Sequence, residues 1–306
     1  MKRYEKGWVF YTRFQQFHRP MLQNTQEIRF WTLFVVTDCT LTLGRETGYP
    51  NKYQPDLLCP IPRSEGRAPF LSGPLPFDGA DLWNAWELTW LGPGDLPVAA
   101  TAEFSIPADS PNLIESKSLK LYLNSFAMSR FSNAAEVLQL IADDLGQCAG
   151  SDVTVVVRMP AQTDRKAISQ LPGLCLDTLP VTCTNWDVDA ALLVIDPDRE
   201  AEEDLHSHLL RSLCPVTGQP DSGSIAIHYR GPRIDPASLL QYIVSFREHS
   251  DFHEACIERM FVDILGRCRP TRLSIHARYQ RRGGIDINPF RSNFQQTADN
   301  LRLWRQ

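Results

Sequence analysis

The chain has little of what usually declares a protein class at once. No apolar run reaches the roughly 18–20 residues of a bilayer-spanning helix; the longest candidate, 30–36, is broken by Thr32 and flanked by Arg29 and Asp38. No membrane partner is expected. Positive charge is short, with 31 Lys and Arg against 36 Asp and Glu and a formal net charge of −5. The global field that drives non-specific nucleic-acid binding is missing, so no nucleic-acid partner is expected. Cysteines are sparse, 8 in 306 residues, at 39, 59, 148, 175, 183, 214, 256 and 268, and never as CxxC or CxH pairs. This argues against a disulfide scaffold and fits a reducing, cytoplasmic setting. Histidines are scattered: His206-Ser207-His208 is the only close pair, and no third ligand stands at a recognisable spacing, so no metal is expected. There is no GxSxG elbow, and Gly283-Gly284 is too short for a dinucleotide fingerprint. What remains is 43% hydrophobic and 22% charged, a globular composition on a chain long enough for two cores.

The first 38 residues carry six Lys and Arg against three Asp and Glu, and no small-residue cleavage site follows an apolar core. Residues 1–38 are expected to be an extension of uncertain order rather than a secretory signal. Beyond them the chain repeats itself. Ser118-Leu-Lys-Leu-Tyr-Leu-Asn-Ser-Phe126 aligns with Ser238-Leu-Leu-Gln-Tyr-Ile-Val-Ser-Phe246, with Ser, Leu, Tyr, Ser and Phe matched at an offset of 238 − 118 = 120. One residue out of that register, Phe131 meets Phe252, and a helical pattern follows each. Its apolar positions are Ala134, Val137, Leu138, Ile141 and Leu145 in one copy, and Cys256, Ile257, Met260, Phe261 and Ile264 in the other.

Alternation predicts strands over 86–90, 98–106, 153–158 and 191–195 around the first helix pair, and over 224–229 and 273–279 around the second. Each half thus reads ββααββ, and two antiparallel sheets are expected, each backed by a helix pair. Asp235 is placed to cap the second copy's first helix, with Pro236 in the first turn. Breakers in 160–183 and acidic residues in 196–204 put the division near residue 200: a first module over 39–200 and a second over 201–306.

Four stretches carry candidate chemistry. In Leu213-Cys214-Pro-Val-Thr-Gly-Gln-Pro-Asp221 a cysteine sits in a loop of two prolines and a glycine, seven residues before a carboxyl. That is either a presented nucleophile with a proton-transfer partner or a buried structural thiol. Phe252-His253-Glu254 opens the last helix, whereas the first copy has Phe131-Ser132-Asn133. Glu can accept two donors from a guanine-like edge and His can exchange protons near neutrality, or the pair simply suits a helix start. Glu115-Ser116-Lys117 stands where amide donors, Ser and Lys can meet an anion, or caps a solvated helix. Arg278, Arg281 and Arg282 with Gly283-Gly284 can hold phosphate, or form an ordinary basic hairpin.

Taken together, ESKSLKLY at 115–122, CPVTGQPD at 214–221, FHE at 252–254 and RRGGIDINP at 281–289 resemble the NADPH-dependent 7-cyano-7-deazaguanine reductases, the nitrile reductases of queuosine biosynthesis, in their long bimodular form. The likeness covers roughly residues 40–306. It implies an α+β fold of tandem tunnelling-fold modules, each an antiparallel sheet backed by a helix pair. It also implies a four-electron reduction of 7-cyano-7-deazaguanine to 7-aminomethyl-7-deazaguanine, with two equivalents of NADPH and no metal, by a cytoplasmic homodimer acting on the free base. By resemblance Cys214 forms a covalent thioimide, Asp221 supplies the proton and His253 assists. Ile114, Glu115, Ser116, His253 and Glu254 would hold the base, and Ser116, Lys117, Arg282 and Gly283 would contact NADPH. Two other readings are weighed: a catalytically silent purine or pterin binder, and another tunnelling-fold enzyme such as a cyclohydrolase, which needs a zinc site or acid-base set not found here.

Overall fold

In chain order the elements are β1 (Pro60–Pro62), α1 (Arg63–Arg67), β2 (Asp78–Leu91), β3 (Pro97–Pro107), β4 (Asn112–Ile114), α2 (Ser116–Ser125), α3 (Ala134–Ala149) and β5 (Thr154–Arg158), then β6 (Leu174–Cys175), β7 (Ile195–Leu213), β8 (Pro220–Ile234), α4 (Pro236–Ser245), α5 (His253–Cys268), β9 (Arg272–Tyr279) and β10 (Ile285–Ser292). The computed structural model describes residues 48–162 and 168–306; the 1–38 extension lies outside the described residues. No helix among them is long and apolar enough to cross a membrane.

The two helix pairs match in length and in their internal bonds. Glu115 and Asp235 each cap their helix, accepting from the amides of Ser118 (2.7 Å) and Ser238 (2.8 Å). Ser118 and Ser238 return a hydroxyl bond to the capping residue's carbonyl, at 2.7 and 2.8 Å. Tyr122 and Tyr242, both fully buried, donate to Asp144 (2.6 Å) and Asp263 (2.8 Å) on the following helix. These pairs explain why Ser and Tyr recur at the same spacing: a buried hydroxyl left unpaired costs about 1–3 kcal/mol. The predicted apolar faces of α3 and α5 point inward, each onto its own core, and each fully buried Leu, Ile or Phe there contributes about 1.5–3 kcal/mol.

Two expectations are corrected. Instead of two sheets there is one of eight strands, ordered β5-β3-β2-β10-β9-β8-β7-β6, beside a small β1-β4 pair. The fusion is made by β10, which pairs with β2 from Ile285↔Ala85 to Ser292↔Asp78. All eight residues of β10 are buried, as befits a strand with neighbours on both edges. The stretch 191–195 is not a strand of its own: Ala190–Leu192 form a single 3₁₀ turn, which Asp189 caps through the Ala191 amide at 2.8 Å, and Ile195 is already the first residue of β7. Residue 200 falls inside β7, whose acidic part pairs with β8 after a bulge between Asp196 and Glu200. The charge that suggested a boundary marks the solvent side of a strand.

Candidate functional site

The nucleophile candidate stands in the connection from β7 to β8. The Cys214 amide donates to the Gln219 carbonyl (2.9 Å) and the Gly218 amide to the Cys214 carbonyl (2.9 Å), closing a tight turn. Gly218 takes φ +67°, a left-handed conformation in which a side chain would be strained. Leu213, just before the cysteine, receives the 249–251 segment: its amide donates to the His249 carbonyl (2.8 Å) and its carbonyl accepts from Asp251 (3.1 Å). This clamp brings the start of α5, and so His253 and Glu254, up to the cysteine turn.

From the first half, β1 pairs with β4 through Ile61↔Leu113, and the Glu115 amide donates to the Cys59 carbonyl at 2.9 Å. The N-terminus of α2 is thereby fixed against the same space. From the end of the chain, Arg282 and Ile285 close the β9–β10 connection by mutual backbone bonds of 2.8 and 3.3 Å. Gly283 (φ +60°) and Gly284 (φ +82°) fill a turn that needs positive φ twice.

The result is one cavity of about 240 Å³ lined by Ile114, Glu115, Ser116, Lys117, Cys214, Asp221, His253, Glu254 and Arg282, nine of the ten residues to which the resemblance gives a role; Arg278 and Arg281 are not in the lining. Gly283 is not in the lining. A Cβ placed on it would lie 3.2 Å from Lys120 Cδ, so its bareness makes room for Lys120, which does line the cavity.

The charges are tightly arranged. Asp221, 4% exposed, has His253 Nε2 3.2 Å from Oδ2 and Arg282 Nη1 against Oδ1. Burial pushes its carboxyl up, but His253 and Arg282 outweigh it and hold Asp221 below the usual range. It is therefore an anion at neutral pH. Arg282 also donates to Gln219 Oε1. His253 stacks on Tyr279, ring centroids 3.9 Å apart, which fixes the plane of the imidazole. Burial raises Glu115 despite its bonds from the Lys117 (2.8 Å) and Ser118 amides. For Glu254, burial and then the negative charge of Asp81 outweigh the nearby Arg63 and Arg291 charges and a backbone amide bond, and push it up to about 8. Burial and the nearby Arg282 charge lower Lys120. The Trp83 indole nitrogen, also at the cavity, is buried without a protein partner.

Lys120 and Gln219 lay within the quoted motifs but carried no role. The available signal was spacing, since Lys117 and Lys120 are three apart on a helix and share a face. Trp83 and Asp251, which also line the cavity, gave none.

Such a cavity can bind a flat, donor-rich ring between two carboxyls, present a thiol beside a carboxylate, and hold an anion on Lys117, Lys120 and Arg282. Comparison with known proteins gives the family. Residues 49–157 match the family model described as the N-terminal part of nitrile reductase, 7-cyano-7-deazaguanine-reductase. Residues 220–298 match that of the QueF-like proteins. The chain is 52% identical over 268 residues to the NADPH-dependent 7-cyano-7-deazaguanine reductase of Azoarcus sp. (strain BH72), covering 86% of this chain and 95% of that one. It is 51% identical over 267 residues to the same-named protein of Dechloromonas aromatica (strain RCB), covering 86% and 94%. Cys214 lies between the two matched regions, and the relatives cover most of the chain: it belongs to the 7-cyano-7-deazaguanine reductase family of nitrile reductases.

Proposed function

We propose that this chain reduces the nitrile of free 7-cyano-7-deazaguanine to an aminomethyl group with two equivalents of NADPH, as a homodimer in queuosine biosynthesis. The observation that carries this reading is the convergence of Cys214, Asp221, His253 and Glu254 with residues 114–117 on one cavity. In fold terms, the paired helices with their matched caps and Tyr–Asp bonds support two tunnelling-fold modules, with the base held between them.

The chemistry follows from the residue types. A nitrile accepts hydride poorly until an addition turns it into an activated C=N group. Cys214 Sγ bonds to the nitrile carbon as one C–N π bond opens; the thiol proton passes to the Asp221 carboxylate and on to the nitrile nitrogen, leaving a thioimide. As an anion between His253 and Arg282, Asp221 is suited to take that proton before giving it up. Bound NADPH supplies one hydride per equivalent, so two hydrides and two protons together convert nitrile to amine. Cys214 leaves as thiolate between the two reductions and regains its proton, and the imine released there has to be kept from water until the second hydride arrives.

The cationic rim fits a dinucleotide phosphate. Lys120 and Arg282 are close enough for the charge of one to depress the other, a repulsion that an anion relieves, and Gly283 lets the backbone approach. Arg282→Ala is expected to raise the KM for NADPH by about tenfold or more with a smaller effect on base affinity. Because Asp221 also loses a neighbouring cation, its pKa rises, and the acid limb of kcat should move to higher pH. Base affinity falling more than NADPH affinity would contradict the assignment.

Base binding should release protons. Glu254 is mostly protonated at pH 7, and a guanine-like edge offering two N–H donors needs the carboxylate. Affinity should therefore rise from pH 6 towards 8, approaching tenfold per unit. Calorimetry in buffers of different ionisation enthalpy would measure the release, and no proton exchange near pH 7 would count against Glu254 as the base-edge acceptor. The activity itself is tested by oxidation of two NADPH per base consumed; binding of the base without any NADPH oxidation would favour a silent binder.

A further inference from the structure

Pairing in the sheet supplies what the sequence spacing did not, a third ligand for the 206–208 histidine pair. β6 runs parallel to β7 with Cys175 opposite His206, and His208 follows two residues on, so it shares a strand face with His206. The alternate residues Leu205 and Ser207 are buried on the other face, Leu205 in the core under α4 and α5. One potential ligand atom each from Cys175, His206 and His208 lies within 4.8 Å of the others. Tetrahedral coordination by one sulfur at about 2.3 Å and two nitrogens at about 2.0 Å needs separations of roughly 3.3–3.6 Å, which rotamer changes of three side chains can supply.

The outer contacts are those of prepared ligands. His206 Nδ1 lies 2.8 Å from the Pro172 carbonyl, so that nitrogen carries the proton and Nε2 keeps its lone pair. His208 Nδ1 lies 2.8 Å from Ser224 Oγ, which also accepts from Arg305 at 3.0 Å. Trp304 packs edge-on against His208, ring centroids 6.4 Å apart, shielding one side.

We propose that Cys175, His206 and His208 bind a zinc ion that pins the two-residue edge strand β6 to β7, with a solvent molecule as fourth ligand. One thiolate with two imidazoles is a donor set that suits zinc among the common divalent ions. The role is structural. A two-residue parallel pair has little holding power by itself, and the ion would add to the bonds that Asp177 accepts from Ser207 and His208 beside it.

The test uses the full chain purified without chelator, then titrated with cobalt after metal removal. The expected result is one zinc per chain and, with cobalt, the intense visible bands of tetrahedral coordination together with a thiolate charge-transfer band. Cys175→Ser keeps the side-chain volume and should abolish the charge-transfer band. Cys214→Ala should keep it, which separates this site from the nucleophile. Ser224→Ala, which removes the outer contact of His208 together with one of the acceptors of Arg305, should weaken affinity by about 10–100-fold. Octahedral cobalt spectra, or equal metal affinity in the wild type and in Cys175→Ser, would overturn the proposal.

Discussion

With Asn in place of Asp221, NADPH oxidation should fall by on the order of 10²–10⁴-fold, the usual worth of a positioned proton-transfer group, while a covalent adduct with the base still accumulates slowly. Asn keeps the size and can still accept from Arg282, but it neither takes the thiol proton nor returns one to nitrogen. Because Asp221 is held below the usual carboxylate range by His253 and Arg282 against the effect of burial, the wild type should keep its active anion well into mildly acidic pH. Single-turnover kinetics would separate the steps, with adduct formation and hydride transfer both slowed. An Asn variant turning over within tenfold of wild type would remove Asp221 from the proton path.

The second large effect is on stability, behind the site rather than in it. Glu258 on α5 accepts from Arg291 of β10 at 2.7 Å and from Arg67 of α1 at 2.7 Å, while Asp81 of β2 lies 2.5 Å from Arg63 and 2.8 Å from Arg291. The side chains of Asp81, Glu258, Arg63 and Arg291 are at most 2% exposed. This cluster ties the helix that carries His253 to strands of both halves. Glu258→Gln leaves three arginines facing one carboxylate, and breaking a buried network in this way costs about 3–5 kcal/mol. The loss should appear as a lower denaturation midpoint in urea, and a loss below about 1 kcal/mol would show that the network is not carrying the interface.

The pH dependence has a definite sign. Burial raises both Asp81 and Glu258, yet the arginines outweigh it and hold both below their ordinary values. Their contribution is therefore complete above the ordinary carboxylate range and is lost as pH falls through the depressed values. The Gln variant should lose less stability on acidification than the wild type.

Much of the site was legible because local rules mark it. The turn chemistry of Cys214 to Asp221, the helix start at His253 and the double glycine at 283–284 each follow from near neighbours in sequence, and the repeated Ser and Tyr follow from the cap and Tyr–Asp bonds they make in both halves. What escaped depends on distant partners. β10 joins β2 across about 200 residues, and nothing in its local alternation tells which edge it will find. The Glu258–Arg291–Asp81 cluster looks in sequence like ordinary surface charge, because burial is set only when α5 and β10 pack. Cys175 stands 31 residues from His206, far outside any ligand spacing, until a parallel pair brings them level.

At the centre of the account is a bond between the sulfur of Cys214 and the nitrile carbon. Intact mass spectrometry of the wild type and of Cys214→Ala, each incubated with 7-cyano-7-deazaguanine in the absence of NADPH, reads it directly. The expected result is a mass increase of one base per wild-type chain, reversed when NADPH is added, and none in the Ala variant. A wild type that binds the base but gains no mass, or an Ala variant that gains the same mass, would contradict the account.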